Sequence, residues 1–201
     1  MLAAGQSSRY RAGGGEAATK LIETLGGRPI VRLAAEAALD SRARPVVVVT
    51  GHARSAVEAA LTGLDLALAY NADYGTGLAS SLRVGLAAMP ADVAGALILL
   101  GDMPWIEARL IDAVIEAFLA SRDALAAAPT RAGRRGNPVL LGRGLFEAAM
   151  RLEGDEGARR LIGALGPGEL VEVEAPDAGA TIDIDTPQDL AAAPGARGRD
   201  G

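Results

Sequence analysis

The chain has 201 residues, half of them hydrophobic but only 3% aromatic, and its 20 Lys and Arg against 25 Asp and Glu leave a formal charge of −5. That length suits one domain with a substantial core, and the acidic balance argues against a nucleic-acid backbone as partner, which needs concentrated cationic charge. With no cysteine and a single histidine, His52, the chain offers no thiolate nucleophile, disulfide, iron–sulfur cluster or histidine-rich metal site.

The first residues, Met1-Leu2-Ala3-Ala4, read as an apolar strand end running into Gly5-Gln6-Ser7-Ser8-Arg9. Gly5 and the small Ala3 and Ala4 let backbone N–H groups approach an anion, and Arg9 offers a forked donor for phosphate oxygens. The loop runs on through Gly13-Gly14-Gly15 to a second cation, Lys20. Residues 13–18 fit the spacing G-x-G-x-x-A, but the dinucleotide fingerprint needs a strand immediately before it, and residues 7–11 are polar. A Walker A loop fails too, because no glycine precedes Lys20 and no Ser or Thr follows it. Taken alone, Arg9 and Lys20 read equally well as solvated charges on a glycine-rich surface loop.

Apolar residues at helix spacing predict a helix over residues 30–38, and the β-branched run 45–50 a strand buried on both faces of a parallel sheet. Residues 66–70 and 94–100 read as similar strands, with a short helix over 80–89 between them. The second of these ends in Gly101-Asp102-Met103-Pro104. A buried strand that stops there delivers one carboxylate to the rim of the sheet, where it can bind a hard cation such as Mg²⁺ or cap the following helix. A helix follows over 110–119. Residues 124–128 and 137–141 then read as strands, 144–152 and 156–165 as helical stretches, and 170–173 as a short strand. Asp183 and Asp185 alternate on an extended segment, so both point the same way and either can pair with Asp102. Thr186 and Pro187 open a last helix as N-cap and first helical residue. The charged, glycine-rich residues 194–201 read as a frayed tail, leaving 1–193 as one domain. The alternation of strands and helices predicts an α/β fold on a mostly parallel sheet, with the ligand beyond the carboxyl ends of the strands. No apolar run approaches ~18 residues and no signal peptide is visible, so a soluble cytoplasmic monomer is expected.

Leu2-Ala3-Ala4-Gly5-x-Ser7-x-Arg9, followed by Lys20-Leu21, resembles the signature loop of the MobA-like nucleotidyltransferases, and among them the molybdenum cofactor cytidylyltransferases. The resemblance continues in order at Asn71-x-x-Tyr74-x-x-Gly77-Leu78-x-Ser80-Ser81, Gly101-Asp102-Met103-Pro104, Gly136-Asn137-Pro138-Val139, Gly154-Asp155-x-Gly157-Ala158-Arg159 and Asp183-Ile184-Asp185-Thr186-Pro187. It departs in a stretch from Arg9 to Lys20 several residues longer than the family's usual form, and in Tyr10, where a Met commonly follows the arginine.

The resemblance implies a Rossmann-like three-layer α/β/α fold with a mostly parallel central sheet, and Mg²⁺-dependent transfer of a nucleoside monophosphate from an NTP, with release of pyrophosphate. Leu2, Ala3, Ala4, Gly5, Ser7, Ser8, Arg9 and Lys20 would hold the triphosphate, with Asn71, Gly77, Ser80 and Ser81 near the nucleotide. Asp102 and Asp185 would be metal ligands, Arg9, Lys20 and Asp102 the catalytic groups, and Gly136, Asn137, Pro138, Asp155 and Arg159 would face the acceptor. Ala3-Ala4-Gly5 leans toward CTP, which makes CMP transfer to molybdopterin the leading expectation, with a molybdoenzyme client as a further partner. The alternatives are GMP transfer from GTP to molybdopterin, transfer to a sugar or polyol phosphate, and a nucleotide-binding accessory protein that does not turn over.

Overall fold

The computed structural model describes residues 1–192; the predicted tail, 194–201, lies outside the described residues. In chain order the elements are β1 (Leu2–Ala3), α1 (Ser8–Ala12), β2 (Thr24–Leu25), β3 (Arg28–Pro29), α2 (Ile30–Asp40), β4 (Val47–Thr50), α3 (Arg54–Ala60), β5 (Ala67–Tyr70), α4 (Leu78–Ala87) and β6 (Gly95–Ile98). They continue with α5 (Ala108–Ala120), β7 (Ala126–Arg131), β8 (Arg134–Arg135), β9 (Val139–Gly142), α6 (Phe146–Ala149), α7 (Ala158–Gly163), β10 (Leu170–Glu174) and α8 (Pro187–Ala192).

β1, β4 and β5 pair in parallel on one side of the molecule, and β6, β9, β7 and β10 follow one another, in mixed directions, on the other. Leu2 joins the two: its N–H donates to the Leu99 carbonyl at 2.8 Å, and its own carbonyl accepts from Gly101 N–H at 2.9 Å. The combined order is β5-β4-β1-β6-β9-β7-β10. Strand residues alternate between two cores, one on each face. Val48, Leu99, Ala127 and Leu140 pack with Val31, Ala34 and Ala35 of α2 and Ile111 and Val114 of α5. Ala96, Ala126, Ala128, Val139 and Leu141 pack with Leu82 of α4, Ala149 of α6 and Ile162 of α7. These are the three α/β/α layers that the resemblance implies, built on the α/β alternation of the sequence.

Two details differ from the expectation. β9 runs antiparallel to both β6 and β7. The chain turns back directly after β7 through Ala132 and Gly133, both with positive φ (49° and 74°), a two-residue hairpin into β8. With no crossover helix between β7 and β9, an antiparallel return is the available direction. The strand at 67–70 is also not buried on both faces. β5 is an edge strand whose Leu68 and Tyr70 are 47% and 46% exposed, and the Arg54 guanidinium sits 4.5 Å above the Tyr70 ring. Among the described residues, no helix is long and apolar enough to cross a membrane.

Candidate active site

The carboxyl ends of β1 and β6 meet at the seam of the sheet, and a cavity of about 580 Å³ opens there. Its walls include Leu2, Ala3, Ala4, Gly5, Ser7, Ser8, Arg9, Lys20, Gly77, Ser81, Asp102, Asp155 and Asp185. Most of the residues expected on the nucleotide therefore lie around one space.

The long loop reaches this space because its two ends are tied. Ser7 has left-handed backbone (φ 53°) at the N-cap of α1, an unusual conformation for a non-glycine residue. Its hydroxyl bonds Thr19 Oγ1 at 2.9 Å and accepts from Lys20 N–H at 3.2 Å. Thr19 is fully buried and caps the single turn Lys20–Ile22. The extra residues fold back on Tyr10, whose buried ring fills the space that a Cβ on Gly15 would need. Burial, with the Glu23 carboxylate beside it, pushes the Tyr10 phenol up to about 12. His52 Nε2–H donates to the Ala18 carbonyl at 2.9 Å, so the lone histidine serves as a loop tie. Thr19 was not among the expected site residues, although a threonine ahead of Lys-Leu-Ile has the form of an N-cap.

Lys20 Nζ, on an 11% exposed side chain, lies 2.7 Å from Asp102 Oδ2 and 2.8 Å from Asp185 Oδ1. Burial opposes its charge, but the two carboxylates outweigh burial and raise the ammonium above its ordinary pKa. Arg9, 78% exposed, bonds the second oxygen of Asp185. Burial alone would raise Asp185, and the bonds from Lys20 and Arg9 hold it below the ordinary carboxylate value. Asp102 follows β6 without capping a helix, since α5 begins at Ala108 behind its N-cap Glu107. Its backbone carbonyl accepts from Ile184 N–H at 3.1 Å. Ile184 is fully buried, so Asp183 and Asp185 on either side of it turn back toward Asp102. Asp189 anchors the following turn: its carboxylate accepts from Thr186 N–H and Oγ–H, while its own N–H donates to Thr186 Oγ1, a reciprocal cap for α8. The same carboxylate accepts from Asp185 N–H at 3.1 Å.

One oxygen from each of Asp102, Asp183 and Asp185 falls within 4.8 Å of the others. Among the described residues, Asp102 Oδ1 is the one buried side-chain oxygen without a hydrogen-bond partner. Burial, then the charges of Asp102 and Asp185, raise the Asp183 carboxyl above its usual value. An all-oxygen set of crowded acids with an unsatisfied lone pair fits a hard divalent cation.

Asn71 and Ser80 do not line the cavity; they stand behind its wall. Asn71 Nδ2 donates to Ser80 Oγ at 2.8 Å and Ser81 Oγ at 3.0 Å, while its Oδ1 accepts from Asp73 N–H. Gly77 (φ +111°) passes so close to the next wall that a Cβ would stand 2.2 Å from the Gly154 carbonyl. Ala79 N–H donates to that same carbonyl at 3.0 Å. A second cavity of about 280 Å³ adjoins the first and shares Asp155 with it. Asn137, Arg159 and Asp183 line it. Of the residues expected on the acceptor, Gly136 and Pro138 are not on this wall. Gly136 N–H donates to the Pro129 carbonyl, and the absence of a Cβ lets Gly136 press on the Ala180 carbonyl, so it sets the position of Asn137. Arg160 points elsewhere, to Glu156 just ahead of its helix.

Cations paired with a carboxylate cluster, beneath a glycine-containing loop, have the chemistry to meet a polyphosphate and a hard cation. The family model for the MobA-like NTP transferase domain matches residues 1–170. The purine catabolism protein PucB of Bacillus subtilis is 32% identical over 204 residues, covering 94% of this chain and 91% of PucB. The bifunctional protein GlmU of Kineococcus radiotolerans is 33% identical over 142 residues, 67% of this chain. The match takes in 28% of GlmU's own length, so the chain spans little more than a quarter of that relative. Among solved structures, the homologue of Mycobacterium tuberculosis Rv0371c from Mycobacterium sp. strain JC1 superposes with a TM-score of 0.78 at 29% identity, over 96% of this chain and 91% of that one.

Proposed function

The chain belongs to the MobA-like NTP transferase family, and from that premise we propose that it transfers CMP from CTP to the phosphate of molybdopterin, releasing pyrophosphate. That it is a nucleotidyltransferase follows from the family; the base and the acceptor are our reading. The observation that carries the chemistry is the convergence of Lys20, Asp102 and Asp185 on one cavity under the loop of residues 4–9. What supports CTP and molybdopterin is the ordered set of motifs, with Ala3-Ala4-Gly5 at the loop.

Nucleotidyl transfer asks the protein for positioning and charge neutralisation more than for covalent work. The acceptor's phosphate oxygen is already ionised, so no general base is required, consistent with a chain whose one histidine ties a loop. That oxygen attacks the α-phosphorus as the bond to the bridging oxygen of the β-phosphate breaks, and the electron pair leaves on pyrophosphate. Arg9 and Lys20, freed from their carboxylates, neutralise the leaving phosphates. Asp102 with Asp185 or Asp183 would hold Mg²⁺, which when bound withdraws charge from the phosphate oxygens. Asn71 holds Ser81 on the wall, and Asn137 and Arg159 meet the acceptor in the adjoining cavity.

The test is pyrophosphate release with Mg²⁺, molybdopterin and each NTP in turn. CTP alone is expected to support release. Release with GTP and not CTP would replace the reading with guanylyl transfer, and release only with a sugar or polyol phosphate would replace the acceptor. NTP binding without any release would favour an accessory protein. Asp102→Ala is expected to abolish turnover with the circular dichroism spectrum unchanged, and full activity in that variant would refute its metal role.

A further inference from the structure

Building on the nucleotidyl-transfer reading, we propose that Lys20 is a resident counter-ion that blocks the carboxylate cluster in the free protein, so that metal and nucleotide enter together by exchange of this one side chain. Its ammonium bridges Asp102 Oδ2 and Asp185 Oδ1, and these two acids are among the three that each bring one carboxylate oxygen within 4.8 Å of the others. A divalent ion held by those carboxylates would sit beside the ammonium. Two cations at that range in a partly buried site repel strongly, so the lysine and the ion exclude one another. The third acid, Asp183, receives no bond from Lys20, and Asp102 Oδ1 remains unpartnered. The lysine therefore neutralises the cluster incompletely, which leaves it open to exchange.

The base of Lys20 is fixed by the loop, and its head is held by the two carboxylates. Its backbone N–H is bound to Ser7 Oγ, and the capped turn Lys20–Ile22 follows. Beyond that fixed point runs a flexible four-carbon stem whose ammonium is a point charge without directional preference. Lys20 lines the same cavity as Ser8 and Arg9, so triphosphate oxygens entering there offer it a new anionic partner within reach of its stem. Once it moves, the carboxylates are released to a metal. Each ligand thus removes an obstacle to the other, and the coupling is reciprocal by linkage. Arg9 is an internal control. It pairs with Asp185 alone and is 78% exposed, so its removal changes the cluster far less.

The experiment measures Mn²⁺ binding to the full chain, without nucleotide, by electron paramagnetic resonance of the free ion. Lys20→Met is expected to bind Mn²⁺ at least tenfold more tightly than the native protein, and Arg9→Met less than threefold. The double variant Lys20→Met/Asp102→Asn is expected to lose the gain, which places the ion at Asp102. Lys20→Gln keeps a polar head on a shorter stem and removes the charge; it gives the same comparison if Lys20→Met does not fold. Equal or weaker binding after removal of Lys20, or an equal gain in Arg9→Met, would overturn the exchange. Because no nucleotide is present, this result is independent of whether pyrophosphate is released from any NTP. Failure of the transferase reading and failure of the exchange are therefore seen separately.

Discussion

The behaviour of the site at the scale of single residues is set by three clustered carboxylates, two of which share one mostly buried cation. Removing one partner of a mostly buried pair leaves uncompensated charge, at a cost of about 3 kcal/mol. Lys20→Met is therefore expected to lower the chemical-denaturation stability of the metal-free protein by about that much at pH 7, with Mn²⁺ restoring most of it. Arg9→Ala, at a largely exposed pair, is expected to change stability by less than about 1 kcal/mol. Asp183 gives a test with the opposite sign. Its carboxyl is raised in the folded protein, first by burial and then by Asp102 and Asp185. The unfolded chain therefore loses this proton first as pH rises, and the fold loses stability between the ordinary carboxylate value of 3.8 and the raised folded value. Asp183→Asn is expected to raise the Tm of the metal-free protein at pH 7. The gain should vanish below the ordinary carboxylate range, where Asp183 is protonated in both states. A gain that persisted undiminished in acid would rule out charge as its cause.

Elements differ in how openly the sequence declares them. The runs that became β4, β6 and β9 are apolar on both faces, and helices on both sides of the sheet bury them, so burial and pattern agree. Strand direction and edge position leave no mark on hydrophobic pattern. Leu68 and Tyr70 look like core residues but lie on the outermost strand, and β9 reads the same whether parallel or antiparallel. The site was legible where a polar residue interrupts an apolar run, as at Asp102 after β6 and Asp185 after Ile184. It was illegible where function depends on a partner distant in sequence. Nothing around Ser7 announces that its hydroxyl ties Thr19 and Lys20, nor around Asn71 that it holds two serines of α4. Gly77 is a case where close approach explains the residue. Its φ of +111° and the Gly154 carbonyl 2.2 Å from a would-be Cβ both exclude a side chain. Gly77→Ala is expected to cost about 2 kcal/mol or more, measured by urea denaturation. It should also raise KM, because the loops of both cavities touch there. A stability change under about 0.5 kcal/mol would show that the Gly154 loop is free to retreat.

Across the whole molecule, the site spans the seam that Leu2 closes between the two groups of strands. The cations come from the loop after β1, while the carboxylates follow β6 and β10, so the ligand's charges must bridge elements from both groups. A ligand held this way stabilises only the assembled fold. At a hundred times its dissociation constant it adds about 2.7 kcal/mol. For a chain of this size that is a rise in Tm of about 5–10 °C, taking 2–4 °C per kcal/mol. If Lys20 must leave the carboxylates before the metal binds, the rise with NTP and Mg²⁺ together should exceed the sum of the rises with each alone. Asp102→Ala should keep the rise due to NTP, which Arg9 and Lys20 still contact, and lose the part that depends on metal. Differential scanning fluorimetry over a grid of NTP and Mg²⁺ concentrations, corrected for formation of the Mg–NTP complex in solution, measures that excess. Strictly additive rises would mean that the two ligands bind without sharing a side chain. A rise independent of metal would separate nucleotide binding from the carboxylate cluster altogether.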